Sequence, residues 1–231
     1  QDYLTGLQAL RDADYPKASE YLQRVARAPS YIVYAPLARL RLADAAFFQD
    51  RYEEAMEGYR SFIETSQGDP NLHYATFMLA EASVKAQPST FFMDPPADRR
   101  DQRRLRSSMV ALTDFIERFP DSPFIGQALA SLRESVKTVV SFEMEVAHFY
   151  MTRDKPAGAV QRLQRLLKDV PRSASEEDVH VALTEALVAA GDFDVARSEC
   201  MRYLERFVAG KAQARMTHLC AKADAHAPVV Q

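Results

Sequence analysis

SFEMEVAHFYMTRDKPAGAVQRLQRLLKDVP, residues 141–171, contains two predicted amphipathic helices that flank a tight turn at residues 153–156. Apolar residues recur at helical spacing in both segments. They are Val146, Ala147 and Tyr150 in the first helix, and Ala159, Leu163 and Leu166 in the second. Ala147 and Ala159 are small enough to let the helices approach closely, and Pro171 ends the second helix. This pattern is typical of the tetratricopeptide (TPR) repeat, a helix–turn–helix unit of about 34 residues.

The same pattern recurs along the chain. Further repeats are predicted at residues 2–29, from about 36 to 70, from 71 to 119 and from about 175 to 207, and a last helix at 211–225. We therefore predict an all-α fold, a right-handed α-solenoid of about five TPR repeats with a C-terminal capping helix. Two domains are predicted, with repeats 1–3 in residues 1–122 and the remaining repeats in residues 123–231.

Three local expectations refine this prediction. The third repeat replaces its turn by a longer connection, residues 87–96, in which Phe91 and Phe92 are expected to cover the groove or a helix end. Its second helix is expected from about residue 98 to 119, and Pro123 is expected to begin a spine helix of roughly 29 residues. Ser175 and Asp178 have the spacing of a capping box at the start of the fifth repeat.

Composition excludes several classes of protein. The 231 residues are 47% hydrophobic and 26% charged, as in ordinary globular proteins, and their apolar runs are too short to span a bilayer. The net charge of −3 provides no general attraction to nucleic acid or to an anionic membrane.

The two cysteines, Cys200 and Cys220, leave two alternatives open. They are a reduced pair buried in helices, or they form a disulfide. A hairpin turn near Gly210 would place the positions ten residues before and after it at the same level of two antiparallel helices. Such a disulfide would require an oxidising compartment.

No residue pattern predicts catalysis, a cofactor or a metal site. The five histidines lack the spacing of metal ligands, and no phosphate loop, nucleophile elbow or dinucleotide fingerprint is present. His180 follows Glu176, Glu177 and Asp178, which are ordinary acids for the first turn of a helix.

Two groups of residues are candidate binding surfaces. Five arginines lie within residues 98–106, among them Arg99 and Arg103; they form either a solvated helix face or a docking face for an acidic partner. Between the first two repeats, Tyr31 and Tyr34 lie close in sequence to Arg27, on the expected concave side. Such tyrosines either pack against neighbouring helices or line a peptide-binding groove.

The order of motifs resembles the BamD family, the TPR lipoproteins of the bacterial outer-membrane β-barrel assembly machinery. The resemblance covers nearly the whole chain. Its specific segments are DPNLHY at residues 69–74, the loop from Phe91 to Arg99, FPDSPF at residues 119–124 and ExxVAxFY at residues 143–150.

The resemblance implies a location on the periplasmic face of the outer membrane, with a lipid anchor that would precede Gln1. It implies that the N-terminal repeats help to receive unfolded β-barrel precursors, for which Arg27, Tyr31 and Tyr34 are the candidate contacts. Where the family usually carries an aromatic residue before the proline that ends the first repeat, this chain has Ala28, and Tyr31 or Tyr34 would supply the ring.

The resemblance also implies that the C-terminal repeats hold the last POTRA domain of BamA. Arg162 matches the family arginine that pairs with an acidic residue of BamA, and Tyr150 belongs to the ExxVAxFY motif. Together with Arg99 and Arg103 they are the predicted partner-binding residues. Other lipoproteins of the machinery are further candidate partners.

The predicted function is thus a non-enzymatic scaffold for outer-membrane protein assembly. An adaptor of another envelope process is the first alternative. A cytosolic co-chaperone with a carboxylate clamp is disfavoured, because Tyr3, Leu7 and Arg41 occupy positions where the clamp needs Lys and Asn. An enzyme is the third alternative.

Overall fold

A computed structural model describes residues 1–31, 33–86, 103–170 and 173–226. Its described residues form eleven α-helices and one short 3-10 helix, Pro29–Tyr31, with no strand among them. The α-helices are α1 Asp2–Arg11, α2 Tyr15–Arg27, α3 Ala35–Phe47, α4 Tyr52–Thr65, α5 Leu72–Lys85, α6 Arg103–Arg118, α7 Ile125–Thr152, α8 Pro156–Asp169, α9 Glu176–Ala190, α10 Phe193–Arg206 and α11 Gln213–Asp224. The predicted fold class, an all-α chain of TPR hairpins with a final extra helix, is confirmed.

The chain divides into two compact units, and the boundary falls inside α7, between Ser135 and Val136. The N-terminal unit contains α1 to α6 and the first part of α7. The C-terminal unit contains the rest of α7 and α8 to α11. The functional division into residues 1–122 and 123–231 remains a prediction.

Four of the hairpin turns share one backbone geometry. Each turn has one residue in the left-handed region: Ala13 (φ 55°), Asp50 (φ 58°), Asp154 (φ 55°) and Gly191 (φ 78°). In each turn, the N–H of the next residue donates to a carbonyl five positions earlier, at 2.9–3.0 Å, which satisfies an orphan carbonyl at the helix end. The left-handed residues are 37 apart in both pairs, since 50 − 13 = 37 and 191 − 154 = 37.

Prolines and small residues explain how the helices of the N-terminal unit begin and pack. Pro16 and Pro36 lie in the first turns of α2 and α3, where a missing N–H is harmless. A Cβ added to Gly6 would lie 2.8 Å from Leu22 Cγ, and one added to Gly58 would lie 2.7 Å from Ala43 Cβ. The helices of the first two hairpins therefore meet at glycine.

The core of the N-terminal unit consists of two apolar clusters. One joins α1, α2 and α3 around Leu22 and Val25. The other joins α3 to α6 and the start of α7 around Phe62, Leu112 and Phe115. Each such side chain contributes about 1.5–3 kcal/mol by complete burial.

The C-terminal unit is held together by apolar packing and by a disulfide. Val181, Tyr203 and Met216 bring α9, α10 and α11 into one buried cluster. Cys200 of α10 and Cys220 of α11 are joined, with their Cα atoms 5.8 Å apart. Of the two alternatives for the cysteines, the disulfide is the one present.

Some local expectations need correction. The capping box is wrong: Ser175 is the N-cap of α9 but makes no side-chain cap hydrogen bond, because its backbone (φ −101°, ψ 9°) is not extended as a capping residue requires. The spine helix begins at Ile125 rather than Pro123 and has 28 residues. The connection with Phe91 and Phe92 lies outside the described residues.

Throughout the described part of the chain, no helix has the length and apolar character needed to cross a membrane.

Candidate partner-binding surfaces

A buried carboxylate, Asp44, organises the polar interior of the N-terminal unit. Its Oδ1 accepts hydrogen bonds from the hydroxyls of Tyr59 and Tyr74, both at 2.8 Å, and its Oδ2 accepts from Arg41 at 2.7 Å. Burial, together with the negative charge of Asp44, raises the pKa of both tyrosines well above the usual range. The hydroxyls therefore remain donors, and α3, α4 and α5 are tied to one acceptor.

The same cluster supports a partly exposed surface of aromatic rings. Arg41 lies over the ring of Tyr74, 5.1 Å from its centroid, and the rings of Tyr3 and Tyr34 are 5.4 Å apart. Burial acts to lower the pKa of Arg41, but the nearby Asp44, Tyr74 and Tyr3 more than offset it, so the pKa is raised. We call Tyr3, Tyr34, Arg41 and Tyr74 the aromatic surface. It joins α1, α3 and α5 of the N-terminal unit.

The predicted precursor-binding residues are only partly brought together. Tyr34 is 48% exposed and belongs to the aromatic surface. Arg27 is exposed at the end of α2, and nothing in the described contacts joins it to Tyr34. Tyr31 lies in the 3-10 helix, and its side chain is outside the described part of the structure.

The arginine-rich segment is described only from Arg103 onward. Arg99 lies outside the described residues, and Arg103 is the first residue of α6. Arg104 donates to Glu53 of α4 at 2.9 Å, with both side chains about two-thirds exposed. At this position the arginine pairs with a nearby acid, as expected of a solvated helix face.

In the C-terminal unit, Arg162 of α8 faces an acid of its own chain. Its guanidinium lies 3.6 Å from Glu143 of α7, whose side chain is 4% exposed, while the Arg162 side chain is 34% exposed. Tyr150 packs over Gly158, where an added Cβ would lie 2.6 Å from the tyrosine ring. Arg162 and Tyr150 thus lie at the contact between α7 and α8, with Arg162 partly exposed.

A second polar cluster lies between α9 and α10. The buried His180 contacts Glu199 through Nδ1 and lies 3.8 Å from Glu176 through Nε2. Arg206 pairs with Glu176 at 2.8 Å, and Arg202 pairs with Glu199 at 3.1 Å. The two arginines compensate the two buried carboxylates, which is the condition for burying charge at low cost.

The N-terminus of α11 is capped by a side chain from α9. Glu177 Oε1 accepts from the backbone N–H of Ala212 at 2.8 Å and from the Tyr203 hydroxyl at 2.7 Å. These two hydrogen bonds lower the pKa of Glu177. Burial and the same hydrogen bond raise the pKa of Tyr203 to about 12.

The sequence prediction missed Asp44 and most of the aromatic surface. One signal was available, because Asp44 interrupts an otherwise apolar run, Leu42 to Phe48. An acid on the buried face of a helix needs donors, and Tyr59 and Tyr74 follow at successive spacings of 15 residues. Within the described ranges, no cluster of three or more His, Cys, Asp or Glu side chains is arranged to hold a metal ion.

Tandem helical hairpins with a polar, partly aromatic surface are typical of TPR proteins that bind other proteins, and this is the class of the present chain. The comparison with known families makes this specific: residues 1–219 match the family model YfiO, described as outer membrane lipoprotein, and the chain belongs to this family. Similar curated proteins are named outer membrane protein assembly factor BamD. The protein of Haemophilus influenzae is 26% identical over 82% of this chain and 73% of its own length. The protein of Caulobacter vibrioides is 21% identical over 82% of this chain and 59% of its own length.

Solved structures of TPR proteins also align with the chain. The TPR domain of P58(IPK) aligns over 98% of this chain and 60% of its own, with a TM-score of 0.45 and 12% identity. The TPR2AB domain of yeast Sti1 aligns over 96% of this chain and 97% of its own, with a TM-score of 0.43 and 12% identity.

Proposed function

We propose that this chain is a non-enzymatic scaffold in the assembly of outer-membrane β-barrel proteins. The observation that carries the proposal is the match of residues 1–219 to a family of outer membrane lipoproteins. The names of the similar curated proteins add the assembly process. The mechanism is binding alone: a scaffold that holds a folded partner and an unfolded precursor raises their effective concentration.

The aromatic surface is the proposed reception site for precursors. Its exposed tyrosine can stack with aromatic side chains of an extended segment, and Arg41 can engage a further ring from its position over Tyr74. Arg27 and Tyr31 remain candidate contacts for the precursor. Tyr3 and Tyr74 are added to that candidate set.

The contact between α7 and α8 is the proposed docking site for the POTRA domain of BamA. Arg162 lies 3.6 Å from the buried Glu143 and is one-third exposed, so its guanidinium could also pair with an acidic residue of a partner.

The proposed location is the periplasmic face of the outer membrane, with membrane contact through a lipid anchor. The disulfide between Cys200 and Cys220 supports this proposal, because such bonds persist in the periplasm and are rare in the cytosol.

The test of the docking site is charge reversal. Arg162→Glu is expected to weaken BamA binding by more than about 1 kcal/mol, or about fivefold, because an interface charge is inverted. Arg165→Glu is the matched control, since Arg165 lies on the same helix, is 69% exposed and pairs only locally with Asp169. Binding is measured by titration calorimetry against the purified POTRA domains, after thermal melts have verified that both variants are folded.

Equal affinities of the two variants would exclude Arg162 from the interface. Co-purification from detergent-solubilised membranes tests the wider proposal. BamA should be recovered with this chain, and recovery of a different envelope complex without BamA would favour an adaptor of another process.

A further inference from the structure

The C-terminal unit contains a groove separate from Arg162. It has a volume of about 450 Å³ and is lined by α7, α9 and α11, with Leu163 of α8 contributing to the lining. A space of this size is within the range of ligand-binding pockets in proteins.

The two long walls of the groove differ in chemistry. On α7, Met144 and Met151 face it with His148 between them, and the flexible thioether side chains adapt to apolar groups of different shape. On α9, the small Ala182 lies between Asp178 and Glu185, so the middle of the groove has room for a bulky side chain.

The charges along α9 are unequally compensated. Glu185 pairs with Arg215 of α11 at 2.6 Å. The neighbouring acids of the first turn are also engaged, Glu176 by Arg206 and Glu177 by the Ala212 N–H. Asp178 is exposed and forms no ion pair with another described residue, so its end of the groove is negative.

We infer that this groove binds a protein segment in which a bulky apolar side chain is followed closely by a lysine or arginine. The apolar side chain enters between the methionines and Ala182, and the basic group pairs with Asp178. Successive repeats of a solenoid commonly form extended binding surfaces of this kind. The inference goes beyond the proposed function and does not rest on it, because Arg162 and the aromatic surface contribute nothing to the lining.

The experiment uses two fluorescein-labelled Gly/Ser-rich host peptides, which carry leucines next to either lysines or glutamates. Fluorescence anisotropy should show that the lysine peptide binds about two- to fivefold more tightly, the effect of one ion pair with an exposed carboxylate. Asp178→Asn should remove this preference. Glu205→Gln makes the same charge change at an exposed site of α10 outside the groove, and should retain the preference.

Two further variants separate a loss of binding from a loss of folding. Ala182→Phe should fill the groove and weaken binding of both peptides. Arg215→Ala should release Glu185 and strengthen binding of the lysine peptide, a gain that misfolding cannot produce. The inference is overturned if the lysine peptide does not bind, if both peptides bind equally, or if Asp178→Asn and Glu205→Gln behave alike.

Discussion

The two units bury polar groups between their helices in different ways. In the N-terminal unit a single carboxylate, Asp44, accepts from three side chains on three helices. In the C-terminal unit the polar groups are spread over the His180 cluster and Glu177, and a disulfide adds a covalent link.

The difference concerns how the stabilising contacts are connected to the proposed binding surfaces. Arg41 and Tyr74 hold the N-terminal helices together and also form part of the aromatic surface. In the C-terminal unit, the disulfide and His180 do not line the groove proposed to bind a peptide, and Arg162 lies outside that groove as well. A substitution of the exposed Asp178 can therefore test the proposed binding with less effect on stability than a substitution of Arg41 or Tyr74.

The largest expected effect is that of Asp44→Ala. It leaves Arg41, Tyr59 and Tyr74 without their common acceptor, and loss of a buried partner of this kind costs about 3–5 kcal/mol. Urea unfolding measures the change, with the exposed Asp114→Ala of α6 as the control. A loss below about 1 kcal/mol would show that Asp44 is not the organising group.

The next largest effect is expected from removal of the disulfide. Reduction, or the double variant Cys200→Ser/Cys220→Ser, should lower the stability of the C-terminal unit by about 2–4 kcal/mol, because the unfolded chain loses a constraint. Hydrogen exchange resolved by segment should show faster exchange in α10 and α11. The N-terminal unit contains no cysteine, so equal acceleration there would contradict the separation of the units.

A smaller loss is expected where helices meet at glycine. Gly58→Ala places a methyl group against Ala43 Cβ and should cost about 1–3 kcal/mol by overpacking. Gly126→Ala is the matched control: its Cβ has no neighbour within 4 Å, and alanine favours the helix by up to about 1 kcal/mol. Thermal melts should move in opposite directions for the two variants.

The smallest expected effect is a dependence on pH through Glu177. Its pKa in the folded protein lies below the ordinary value of 4.5, so the ionised form favours folding. This contribution is complete above about pH 4.5 and is lost as the pH falls through the folded-state pKa. Thermal melts of wild type and Glu177→Gln should differ at neutral pH and converge in acid, whereas a constant difference would exclude this role.

The sequence was sufficient for features that depend on neighbours along the chain. The hairpin at residues 153–156 and the level placement of Cys200 and Cys220 both follow from local spacing. The Asp44 cluster could not be predicted in the same way, because it requires the packing of three helices. The predicted capping box is wrong because the backbone of Ser175 is not extended. Glu177, also in the first turn of α9, caps a different helix, which the local sequence does not indicate.

The cap of α11 has a consequence for the order of folding. The carboxylate of Glu177 reaches an N–H that lies 35 positions later in the sequence. A short helix is marginal by itself in water, and α11 has only 12 residues. The N-cap residue Ala212 therefore gains its partner only after α9 has formed, and the disulfide to α10 can close once α11 is in place. We expect α11 to be the last helix of this unit to form and the first to be lost. The folded state of α11 therefore indicates whether the preceding repeat, α9 and α10, is intact.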